Sequence, residues 1–113
     1  MSSTRLPNYL RAHRKRLELS QDEVAYLLGA ESGAKVCRYE RFAREPSLQT
    51  ALACEAVFHR PVGELFAGTF SEVGRAVGGR AQKLLARVDR EKSKARASRR
   101  RATLEAIKNG WRL

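Results

Sequence analysis

The chain has little of what most chemistry-bearing proteins display. Its 113 residues contain two cysteines, Cys37 and Cys54, and two histidines. Neither cysteine belongs to a CxxC pair and neither histidine has a second ligand at i+4, so the usual structural zinc patterns are excluded. The cysteines read as small apolar residues of a reducing compartment. No run of about 18 apolar residues is present, which excludes a membrane-spanning helix. The N-terminal MSSTRLPNYL lacks the charged-then-apolar pattern of a secretion signal, and a cytoplasmic location is expected. No serine stands in a recognisable arrangement with a histidine and an acid, so no enzymatic activity and no cofactor are expected. No stretch alternates at period two, which argues against a sheet, and there are no internal repeats.

Acidic residues are also scarce: 12 Asp and Glu against 23 Lys and Arg, a net charge of +11 with pI near 10.6. Such a surplus favours a polyanionic partner. It is unevenly spread. Residues 1–66 carry 10 basic against 8 acidic side chains, whereas residues 67–113 carry 13 against 4. This division predicts a domain over 1–66 and a basic extension over 67–113.

The first part reads as successive short helices. Leu6, Leu10, His13 and Leu17 form one helical stripe, with Pro7 or Asn8 suited to its start. Ser20 and Glu23 have the spacing of a capping box. Val24, Leu27 and Leu28 then supply an inward face before Gly29 ends the helix. Ser32 is placed to cap a third helix with Val36 and Tyr39 inward, which leaves Ala34, Lys35, Arg38 and Arg41 outward. Pro46 and Ser47 introduce a fourth helix with the stripe Leu48, Ala51, Leu52, Glu55 and Phe58. RPVGELF reads as a brief fifth helix bringing in Val62, Leu65 and Phe66.

In the extension, Val73, Val77, Ala81, Leu84 and Val88 follow a helical stripe, but Gly74, Gly78 and Gly79 each cost about 1 kcal/mol in a helix interior. A helix starting near Arg80 is therefore expected. DREKSKARASRRR has almost no apolar content to hold a helix by packing, and Leu104, Ile107 and Trp111 resume a stripe beyond it. A basic run of this kind is commonly a solvated surface that also grips phosphate nonspecifically. The apolar residues of 67–113 exceed what a 66-residue domain needs, which predicts a homodimer formed through this segment.

The combination LSQDEVAYLLG, then KVCRYE, a Pro-Ser-capped helix and VGELF resembles the Cro and phage-repressor (XRE) helix-turn-helix family over about Leu6 to Phe66. The resemblance implies an all-α, five-helix repressor-like domain with a helical basic C-terminal extension. In that family the third helix enters the major groove of duplex DNA and the second crosses the backbone. Carried over by position, Ser32, Gly33, Ala34, Lys35 and Arg38 are the implied base-contacting residues, with Arg38 suited to a bidentate guanine contact. Gln21, Arg41 and Arg44 are the implied phosphate contacts, and Arg14 with Glu40 the pair linking helix one to helix three. The family's turn commonly has one residue between the glycine and the third-helix cap, whereas Ala30 and Glu31 both stand there in this chain. The function implied is a sequence-specific transcriptional regulator binding double-stranded DNA. The alternatives are the antitoxin of a toxin–antitoxin pair, with 67–113 holding the toxin or another protein, and a basic RNA- or ribosome-associated protein.

Overall fold

The protein is described by a computed structural model covering residues 8–91 and 93–110, so the expectations for Leu6, Pro7 and Trp111 lie outside the described residues. Among these residues the chain is all-helical, with no strand. The helices are α1 (Leu10–Arg16), α2 (Gln21–Leu28), α3 (Gly33–Glu40), α4 (Leu48–Phe58), α5 (Val62–Leu65), α6 (Ala67–Val88) and α7 (Lys94–Gly110). None is long and apolar enough to cross a membrane. The chain divides into two compact units, Met1–Thr69 and Phe70–Leu113.

In the first unit, Asn8 organises the start of α1. Its side-chain oxygen accepts from the Leu10 N–H at 3.2 Å, and its Nδ2 donates to the Tyr39 carbonyl at 3.0 Å, at the far end of α3. Of the stripe expected on α1, Leu10 is buried, His13 is half-buried with its ring 6.4 Å from that of Phe58, and Leu17 is exposed. The α2 capping box is present in full: the Glu23 N–H donates to Ser20 Oγ at 3.0 Å, and the Ser20 N–H donates to Glu23 Oε1 at 2.8 Å. Gly29 ends the helix at φ +72°, a left-handed conformation that costs glycine nothing, and lets Ala30 fold back to donate to the Ala25 carbonyl at 2.8 Å.

Two inward faces differ from the sequence reading. On α2 the buried pair is Val24 and Ala25, whereas Leu27 is 52% exposed. Val24, Ala25 and Leu28 form one stripe, which puts Leu27 on the flank. On α4 the expected Leu48 and Leu52 face solvent, while Cys54 is fully buried and Phe58 packs beside it. Ala51, Cys54 and Phe58 share the inward face, at the helical spacing that leaves Leu48 and Leu52 off it. Glu55, assigned to the inward stripe, is exposed; its Oε1 accepts from the Val62 N–H at 3.0 Å and so satisfies a free donor at the start of α5. Leu65 and Phe66 close the core, and the Leu65 carbonyl accepts from the Tyr9 N–H at 2.8 Å.

The second unit corrects the reading of the glycines. Instead of beginning near Arg80, α6 runs unbroken from Ala67 through Gly74, Gly78 and Gly79. Gly74 and Gly78 lie on its buried face, which continues as Ala81, Leu85 and Val88, while Val73 and Val77 stay exposed. Tertiary packing outweighs the intrinsic cost of glycine in a helix. The basic segment is likewise helical, because Ala97 and Leu104 of α7 pack with Ala81, Leu85 and Val88. Arg101 pairs with Asp89 at 2.5 Å and Arg100 pairs with Glu91, so the connection between α6 and α7 carries acids that match the bases of α7.

Gly79 has open space where a Cβ would project. Gly79→Ala should therefore raise the stability of the helix pair by about 0.5–1 kcal/mol, read by thermal or urea unfolding; a loss of stability would contradict its placement. Burial pushes the Cys54 thiol up from 9.0 to about 11. Because the neutral thiol is the form favoured in the folded state, this contribution is intact below pH 9 and is lost as pH rises through 11. Cys54→Ala should flatten that part of the stability–pH curve, and an unchanged slope would show that the thiol does not titrate on unfolding.

Candidate nucleic-acid interface

An eight-residue helix cannot hold its own orientation, so the placement of α3 depends on what secures its two ends. At the N-terminus the Gly33 N–H donates to Asp22 Oδ1 of α2 at 3.0 Å. A Cβ on residue 33 would collide with that oxygen and lie 3.0 Å from the Asp22 nitrogen, so any larger residue must displace the Asp22 side chain from its bond and press on the α2 backbone. Gly33, base-contacting by the resemblance, is buried against α2. Ser32 occupies the N-cap position with extended backbone, but its side chain accepts no capping hydrogen bond; Asp22 does that work. The exposed Ser32 hydroxyl is thereby left for other contacts.

At the C-terminus the anchor is Glu40. Arg14 of α1 donates from Nε to Glu40 Oε2 at 2.5 Å and from NH2 to Oε1 at 3.3 Å, while its NH1 donates to the Leu19 carbonyl at 3.0 Å. Gln21 Nε2 donates to Glu40 Oε1 at 3.1 Å. One carboxylate thus joins α1, α2 and α3. The side chains of Arg14 and Glu40 are only 12% and 4% exposed, so the pair is far more enclosed than a surface ion pair. The hydrogen bond to Glu40 raises the Arg14 pKa above its ordinary value, against the opposing effect of burial. For Gln21, one of the two amide N–H donors goes to Glu40, which leaves the second for the phosphate contact expected of it.

With Val36 and Tyr39 buried, α3 turns Ala34 and Arg38 fully outward, and Lys35 is half-exposed beside them. Arg41 follows at the end of the helix. The chain then doubles back, with Phe42 at φ +52° and the Arg38 carbonyl accepting from both Ala43 at 2.8 Å and Arg44 at 3.3 Å, which keeps Arg44 near the end of α3. Lys35, Arg38, Arg41 and Arg44 make no ion pair among the described residues. An open depression beside this face is lined by Arg11, Arg14, Ser20, Gln21, Cys37, Glu40 and Arg41. No group of three His, Cys, Asp or Glu side chains able to hold a metal occurs among the described residues.

Sequence reasoning missed Asp22, Arg11 and the bond from Asn8 to the Tyr39 carbonyl, although it placed Asn8 at the start of α1. Asp22 stands in the first turn of α2, where an acid suits a helix N-terminus whatever else it does. Its bond to Gly33 spans 11 residues and had no local sign. Arg11 is an exposed base of α1, and only the packing of α1 beside α3 brings it to the depression. Searches of family models, curated proteins and solved structures return no match to this chain.

Leaving one member of an enclosed ion pair without its partner costs about 3–5 kcal/mol, whereas replacing both by apolar residues of similar volume is often neutral. Glu40→Ala should accordingly destabilise the first unit by that amount, and Arg14→Met combined with Glu40→Leu should recover most of it. Urea denaturation reads both. A Glu40→Ala variant within about 1 kcal/mol of the parent, the scale of a surface pair, would remove Glu40 as the anchor.

Proposed function

We propose that this protein binds duplex DNA in a sequence-specific manner as a helix-turn-helix transcriptional regulator of the Cro and phage-repressor type, with α3 in the major groove. The observation that carries the reading is the face of α3: Lys35, Arg38 and Arg41 project outward without carboxylate partners from a helix secured at both ends. Fixed donors on a rigid helix suit base reading, because a side chain must meet a base edge within hydrogen-bonding geometry. Loosely held bases on a mobile segment supply only nonspecific attraction.

In this proposal Arg38 makes the bidentate guanine contact and Lys35 adds a second donor one turn earlier. Ala34 has the size to meet a thymine methyl, and the Ser32 hydroxyl lies free at the start of the helix. Gly33 serves by seating α3 rather than by touching a base. Arg41 and Arg44, with Arg11 beside the depression, supply phosphate contacts that position the domain without reading sequence. Glu31 is exposed in the turn and disfavours close phosphate approach on that side. A homodimer through residues 67–113 would present two such helices to half-sites about 34 Å apart. The antitoxin reading uses the same DNA-binding face and differs in what 67–113 holds. The RNA- or ribosome-associated reading would draw its affinity from the basic extension and leave α3 without a role.

Arg38→Ala should lose about 1–3 kcal/mol on the preferred duplex and relax the preference at one base pair, while Arg44→Ala should weaken every duplex alike and shallow the salt dependence. Fluorescence anisotropy on matched and single-substituted duplexes measures both. Uniform weakening by Arg38→Ala would show that Arg38 is not a base reader.

A further inference from the structure

The unit Phe70–Leu113 is well below the about 70–80 residues at which one core supports a fold unaided, and oligomerisation is a common remedy. Its closed core is Ala81, Leu85, Val88, Ala97 and Leu104, with two alanines among the five. Beside this core, Val73, Val77 and Ile107 are 53%, 41% and 42% exposed, and Leu84 is half-buried. Helical periodicity gathers Val73, Val77 and Leu84 on one flank of α6. Because α7 folds back on α6, the flank of α7 holding Ile107, three residues past Leu104, lies on the same side of the pair.

We propose that a second copy of this chain covers that face, completing a four-helix bundle about a twofold axis. In it α6 packs antiparallel to α6 of the other copy, with the axis passing between Val77 and Arg80. In this register Val73 meets Leu84 of the second copy, and Ile107, one turn past Leu104 of the cluster that also holds Ala81, lies near the axis and meets its own counterpart. Glu72, the sole acid of α6, shares a flank with Lys83, and flanks of the same side face each other in an antiparallel pair. Each Glu72 therefore reaches Lys83 of the second copy, twice by symmetry. Arg80 near the axis lays its methylene stem over the valines and carries its charge to the rim. The bases of α7 oppose association, so the bundle strengthens as salt screens them.

The inference rests on reading 67–113 as the pairing segment and is tested without DNA. Sedimentation equilibrium of the full chain should show a monomer–dimer equilibrium that shifts toward dimer from low to high salt. Val77→Asp should weaken association at least about tenfold while helicity by circular dichroism is retained. Glu72→Lys and Lys83→Glu should each weaken it, and the two together should restore it. A parent chain monomeric at both salt concentrations would overturn the bundle. So would a double reversal that associates no better than the weaker single one, since that removes the antiparallel register. Association measured in this way stands or falls separately from the effect of Arg38→Ala on duplex binding.

Discussion

The first unit depends on the pairing of one carboxylate. Glu40 has lost nearly all contact with water, and an ionised group in that position is tolerated only when its oxygens are matched by donors. Arg14 and Gln21 supply those donors, and because they belong to α1 and α2, satisfying the charge also fixes where α3 ends. Asp22 performs the complementary task at the other end through the Gly33 N–H. The outward direction of Lys35 and Arg38 follows from these two anchors together with the burial of Val36 and Tyr39. In the proposed function this rigidity is what separates reading a base from merely attracting a phosphate.

What was legible in the sequence was local. Ser20 and Glu23 announce a helix start because both halves of a capping box lie within four residues, and Gly29 announces its end. Periodicity placed Val36 and Tyr39 inward for the same reason. What was illegible needed a third dimension. Leu48 and Leu52 are larger and more apolar than Cys54, yet Cys54 is inside, because the face of α4 that packs is the one shared by Ala51, Cys54 and Phe58. Gly74 and Gly78 looked like helix breakers; on a buried face their lost side chains are part of how the helix packs. Of the candidate site, the outward bases of α3 were readable. The bond from Gln21 to Glu40 and the burial of Gly33 were not, since each depends on a partner far away in sequence.

The two units divide the charge between them in different ways. In the first, acids and bases nearly balance in number, and Lys35, Arg38, Arg41 and Arg44, without an ion pair among the described residues, gather around α3. In the second, bases outnumber acids throughout, and the ion pairs of Arg100 and Arg101 neutralise only a small share of them. Such a surface supplies salt-sensitive affinity for any polyanion and cannot choose among sequences. Specificity, on the proposed reading, must come from the eight residues of α3, and the second unit adds affinity and pairing.

The most direct test of this account is selection of binding sites from randomised duplex DNA by the full chain, with structured RNA as competitor at fixed salt. The account predicts enrichment of one short motif, arranged as two half-sites and containing guanine, with RNA competing only weakly. A pool that stays unenriched while RNA displaces DNA with equal efficiency would contradict it, and would leave this protein a general polyanion binder whose α3 reads nothing.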